Sequence, residues 1–333
     1  MEAGALSTPV LRARRNLPDR IGDPLLRGLS GLAAAVSVVV LVAIAYEVVH
    51  LASPAISKFG FGFLTTNDWN PVSKDFGAAP FLYGTVVTSL IALVVAAPLS
   101  IAISIYLTEL APLRIRRPVA TLIDMLAAIP TVILGLWGIL VLGPVMHDTI
   151  EPALKSVLGF LPIFSGDPSA FSYLTAALIL AIMATPIITS VTREVFETVP
   201  NELKEGSYAL GATRWEMVRQ VVLPYSRAGI VGAVILGLGR AIGEAIAVAQ
   251  VIGAAYTIHL SLFHTGGTLA AQIASQFQNS AGLQKASLAY LGLILLVFAV
   301  IVNVVARIIV QRGHIKDGSE VDIDAALTEA QAL

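Results

Sequence analysis

The sequence has no cysteine, which excludes disulfides, thiolate metal sites and cysteine nucleophiles. It is also poor in charge: Asp, Glu, Lys and Arg make up 13% of 333 residues, against about 25% in a soluble domain. Net charge is −1, so nothing favours nucleic acid electrostatically. No Gly-Lys dipeptide occurs, so the chain has no phosphate-cradling P-loop of its own. Five histidines, at 50, 147, 259, 264 and 314, show no HExxH or other ligand spacing. No Ser/His or metal constellation falls within the apolar runs, which argues against an intramembrane enzyme.

What is present is apolar sequence. Hydrophobic residues reach 56% and mean hydropathy is +0.82, the profile of an all-α integral membrane protein. Six runs are expected to span, at about 28–49, 82–107, 119–145, 171–191, 228–255 and 286–310. The first, at about 1.5 Å per residue, reaches about 33 Å, enough for a hydrocarbon core of about 30 Å. It is longer than the roughly 7–15 residues of a signal-peptide core, although Ala43-Ile44-Ala45 would suit cleavage. Residues 1–27, with five arginines and three prolines, read as a cytoplasmic tail, and 311–333 as an acidic cytoplasmic tail. The stretches 50–80, 146–170 and 256–285 read as loops. Phe59–Phe63 and Asn67–Pro71 suit anchoring at the membrane–water interface.

Six spans place both termini on one side. With that side inside, the inner segments hold 16 Lys and Arg and the outer loops hold 4. This positive-inside bias makes 192–227 cytoplasmic. That segment is long for a connection in a compact bundle. Pro200 and Asn201 can start a helix, with Glu202 and Glu205 in its first turns, where the helix dipole favours acids. Gly211 is expected to break the helix. Thr213 and Glu216 have capping-box spacing for the next one, which runs through Leu223-Pro224 into the membrane.

The spacing Glu205-x5-Gly211-x9-Val221-x-Leu223-Pro224 resembles the EAA-x3-G-x9-I-x-LP loop of ABC-importer permeases, with Gly206 and Ser207 in place of the two alanines. Leu203–Gly206, Ala212–Glu216, Gly237–Glu244, Tyr106–Leu110 and Ile129-Pro130 with Gly135–Gly138 are similar to the C-type permease subunit of phosphate-specific transport systems. Residues 28–310 would then form a six-span permease of type I ABC-importer fold. The hairpin 200–224 would be its coupling helix, with Glu205, Gly211, Leu223 and Pro224 docking the ATPase. The resemblance also implies a second permease subunit, two cytoplasmic ATP-binding subunits that use the ATP, and an extracytoplasmic phosphate-binding protein. No cofactor is expected on this chain.

Arg240 and Glu244 are four residues apart inside the fifth run, about 40° apart on a helix face. A lone charge there costs at least about 2.5–3.5 kcal/mol on insertion scales. Gly239-x3-Gly243 suits close helix contact, so the pair is expected to face protein or a watery cavity. Two readings stay open: an ion pair that fixes packing, or a phosphate path in which the Arg240 fork binds oxygens. Sulfate or molybdate as cargo, or a secondary anion transporter, are the alternatives.

Overall fold

The computed structural model describes residues 17–317, with side chains from 25 to 308. The tail expectations for 1–16 and for the acidic stretch 318–333 concern residues outside the described ones. The chain divides into two compact units, Met1–His50 and Leu51–Leu333. In the first, the described residues form one helix, the start of α1 (Leu17–Phe59). Helicity therefore begins inside the segment expected to be a tail.

The second unit carries the remaining elements. After α1, a 3-10 turn and a minimal antiparallel pair, β1 (Trp69–Asn70) and β2 (Asp75–Phe76), precede α2 (Ala79–Leu110). Then come α3 (Leu113–Ala127), α4 (Thr131–Leu158), α5 (Tyr173–Glu197), α6 (Asn201–Ala209) and α7 (Arg214–Gly243). The short α8 (Ile246–Val251) and α9 (Leu269–Gln276) precede α10 (Gly282–Asp317). Six of these helices are long and apolar enough to cross a membrane.

Two expected spans are displaced. The third begins at Thr131 rather than 119, because Pro130 holds an extended backbone (φ −57°, ψ 132°) that separates α3 from α4. It then runs to Leu158, through much of the expected 146–170 loop. The fifth occupies Arg214–Gly243 rather than 228–255, since the helix stops before Glu244. The stretches 50–80 and 256–285 also contain helix, in the end of α1 and in α9.

The core is built on α2, α5 and α7. Ser100 Oγ donates to the Thr185 carbonyl at 3.0 Å and Ser104 Oγ to the Thr189 carbonyl at 3.0 Å. Equal steps of four along both chains make α2 and α5 parallel. Against α5, α7 runs antiparallel: a Cβ on Gly229 would stand 2.4 Å from Val195 Cγ1, and one on Gly237 2.5 Å from Ile188 Cγ1. Close contact is thus made at Gly229 and Gly237. The expected Gly239-x3-Gly243 contact is absent among the described residues, since a Cβ at either glycine meets nothing within 4 Å.

Four turns among the described residues wind as π rather than α: Tyr106–Leu110, Gly138–Leu142, Met146–Ile150 and Val218–Val222. Each is followed two residues later by a proline: 112, 144, 152 and 224. Proline offers no N–H to the carbonyl four residues back and crowds it. The residue before each proline instead bonds five residues back, as Leu223 N does to the Val218 carbonyl. The wider turn absorbs the crowding. Pro98 and Pro186 sit in ordinary helical turns, so proline permits the wide turn without requiring it.

Candidate functional site

The hairpin folds as its residues dictate. Pro200 precedes α6, and Glu202 lies in the first turn. Gly211 adopts φ +83°, the left-handed region that side chains with a Cβ disfavour. Thr213 and Glu216 form the expected capping box: Thr213 Oγ1 accepts from Glu216 N at 3.3 Å, and Glu216 Oε2 accepts from Thr213 N at 2.8 Å.

One side of the hairpin is sealed against the bundle. Met217, Val218 and Val222 are buried with Phe196 and Val199, and Ile101, Ile105 and Leu223 pack on that cluster. The other side is open. Leu210 is 91% and Trp215 63% exposed, and Tyr208, Glu205 and Gly211 are exposed beside them. Large apolar groups thus stand exposed around an acid and a tight turn. Pro224 sits one residue inside the helix resumed after the π turn, so Leu223-Pro224 shapes the join between hairpin and span.

Sequence reasoning missed a contact here. Lys204 Nζ donates to Glu109 Oε1 at 2.7 Å, joining α6 to the last turn of α2. Both residues stand in segments with family resemblance, but 95 positions apart, and no local pattern reports such a pairing.

Arg240 and Glu244 are not the helical ion pair expected. Arg240 lies in the last turn of α7 and is exposed, on one face with Leu236, Gly239 and Gly243, which are exposed too. Its side chain makes no ion pair or hydrogen bond among the described residues. Glu244 has left the helix, with φ −72° and ψ 121°. Its side chain turns inward, the residue being 8% exposed, and Oε1 accepts from Ala247 N at 3.2 Å. The carboxylate thus serves the free N–H groups at the start of α8, where the helix dipole favours an acid. The weak helix formers Gly237, Gly239 and Gly243 permit the break. The structure thereby separates the two charges, freeing Arg240 and occupying Glu244.

Residues 99–314 match the family described as binding-protein-dependent transport system inner membrane component. The chain belongs to that family. It is 42% identical over 327 residues to the phosphate transport system permease protein PstC of Mesorhizobium japonicum, covering 96% of this chain and all of that one. It is 46% identical to PstC of Pasteurella multocida over 84% of this chain and 88% of that one. The probable phosphate transport system permease PstC of Methanocaldococcus jannaschii is 37% identical over 76% and 82%. Among solved structures, a bacterial alginate ABC transporter chain in complex with its periplasmic protein superposes with a TM-score of 0.60 at 15% identity, over 90% of this chain and 98% of that one. This likeness is one of fold, the type I ABC-importer permease fold. The protein is a multi-pass membrane permease, a transport subunit that works with other ABC components.

Proposed function

We propose that this permease carries inorganic phosphate into a prokaryotic cell across the cytoplasmic membrane, driven by ATP hydrolysed on partner subunits. The observation that carries this reading is Arg240: an exposed arginine with no counter-ion among the described residues, on a membrane-spanning helix. Leaving it in lipid is costly. A phosphate in transit satisfies it, because the planar fork matches two phosphate oxygens. The face it shares with Gly239 and Gly243 suits a second permease subunit, with the path running between the two. Glu244, bonded to the start of α8, holds the end of α7 in place rather than neutralising the arginine.

Phosphate at neutral pH carries between one and two negative charges. Moving it against a negative interior costs about 2.3 kcal/mol per charge per 100 mV. The energy enters at the hairpin, and the charge bias supports a cytoplasmic position for it. Two ATP-binding subunits dock there, one on this chain around Glu205, Gly211, Leu210 and Trp215. An extracytoplasmic phosphate-binding protein delivers the cargo at the opposite end.

The test is uptake of labelled phosphate by membranes holding the complete complex. Arg240→Gln is expected to abolish uptake with the complex still assembled, and excess sulfate or molybdate to leave wild-type uptake unchanged. Full uptake by Arg240→Gln, or accumulation in membranes without the ATP-binding subunits, would overturn the proposal.

A further inference from the structure

We infer that Glu109 and Lys204 form the strut through which movement of the coupling helix α6 reaches α2. This rests on the ATP-driven reading above and assigns the pair a positioning role within it. Of the nine residues of α6, all but Lys204 and Ser207 are exposed. Helix α6 therefore has almost no packed face of its own through which to push. What it has is a charge-assisted hydrogen bond of 2.7 Å from Lys204 Nζ to Glu109 Oε1, with the two side chains only 16% and 9% exposed. Pairs that open to water transmit little. One this short and this shielded is among the stronger polar contacts.

The receiving end is built to take a load. Glu109 sits in the π turn Tyr106–Leu110, closed by Ala111 N on the Tyr106 carbonyl just before Pro112. In the same turn the Arg116 guanidinium, from α3, donates to the Thr108 carbonyl. Beyond it, α2 is fastened to α5 by Ser100 and Ser104. A displacement of α6 thus has three outlets. The chain carries it back through 198–200 into α5 and on through Gly211 and Thr213 into α7 and towards Arg240. The third is Lys204 to Glu109, the route into α2. With all three intact, α2, α5 and α7 answer together. With the strut cut, α5 and α7 still answer through the chain, and α2 is drawn along only by its contacts with them.

The test uses the complete complex with the phosphate-binding protein in proteoliposomes, reading ATP hydrolysis and phosphate imported per ATP. Glu109→Gln and Lys204→Gln are expected to hydrolyse ATP yet import about tenfold less phosphate per ATP, inside the range of about 5–150-fold typical of coupling between two sites. The exchanged pair Glu109→Lys/Lys204→Glu should recover most of that loss. Because the native chain lacks cysteine, Glu109→Cys/Lys204→Cys can be joined by a short thiol-reactive bridge. Import per ATP should then rise on bridging within one and the same folded protein, even if the single variants assemble poorly. Wild-type import per ATP in either single variant, or no gain on bridging, overturns the strut. A wild-type complex that hydrolyses ATP and imports no phosphate overturns the transport reading instead.

Discussion

Gly84 of α2 lies directly against the backbone of Gly267: a Cβ at position 84 would stand 2.0 Å from the Gly267 carbonyl oxygen. Beside it, Thr85 Oγ1 accepts from Leu269 N at 3.0 Å, so the start of α2 holds the start of α9. Backbone cannot rotate out of the way as a side-chain tip can. Gly84→Ala is therefore expected to destabilise the protein by about 1–3 kcal/mol or more, read as a lower thermal midpoint in detergent. Gly239→Ala, which meets nothing within 4 Å, should leave that midpoint unchanged or raise it.

Pro224 predicts a geometric effect. With alanine there, the turn Val218–Val222 can close as ordinary α-helix. That removes one residue from the wide turn and swings the hairpin by about 100° around the α7 axis relative to Arg240. Pro224→Ala is expected to keep the chain in the membrane and lower phosphate uptake severalfold. A change in spin-label distance between α6 and the Arg240 end of α7 would report the swing.

The hairpin offers two substitutions of opposite sign. Gly206 lies inside α6 with open space where a Cβ would be, so Gly206→Ala should stabilise that helix by about 0.5–1 kcal/mol. Thr213→Ala removes the acceptor for Glu216 N and should cost about 1 kcal/mol. Hydrogen exchange of the amides 201–217 separates them, slower in the first variant and faster in the second.

At the far end of the bundle, Glu151 is fully buried, accepting from Ser169 N at 2.7 Å and from Ser172 Oγ at 2.7 Å. Ser172 in turn caps α5. Glu151→Gln sets an amide donor against one of those donors, a mismatch of about 1–3 kcal/mol. Thermal unfolding should show the loss, and Ser172→Ala in the same chain should add less than it does alone.

Signals confined to a few neighbouring residues were legible in the sequence. The cap at Thr213 and Glu216, the turn at Gly211 and the number of spanning helices all followed from spacing and hydropathy. The edges of the third span were not, because residues 119–129 are as apolar as the span itself and only the backbone at Pro130 divides them. The break at Glu244 was hidden for a similar reason: no proline marks it, and the apolar run continues to 255. From spacing alone, Arg240 and Glu244 fall on one helical face. The carboxylate instead finds the amide of Ala247, which a helical wheel cannot show. Lys204 and Glu109 meet only because the parallel course of α2 and α5 brings the end of α2 under the hairpin.

That parallel course also sets a timetable. Ser100 and Ser104 each await a carbonyl 85 positions further on. At about 5–20 residues synthesised per second, the second helix reaches the first roughly 4–17 s later. The intervening chain must cross the bilayer once more and return before the two can join. The nascent α2 therefore waits in the membrane without its partner helix, its hydroxyls held by carbonyls of their own helix as Ser104 is by Ser100, so the core of this protein closes late in its own synthesis.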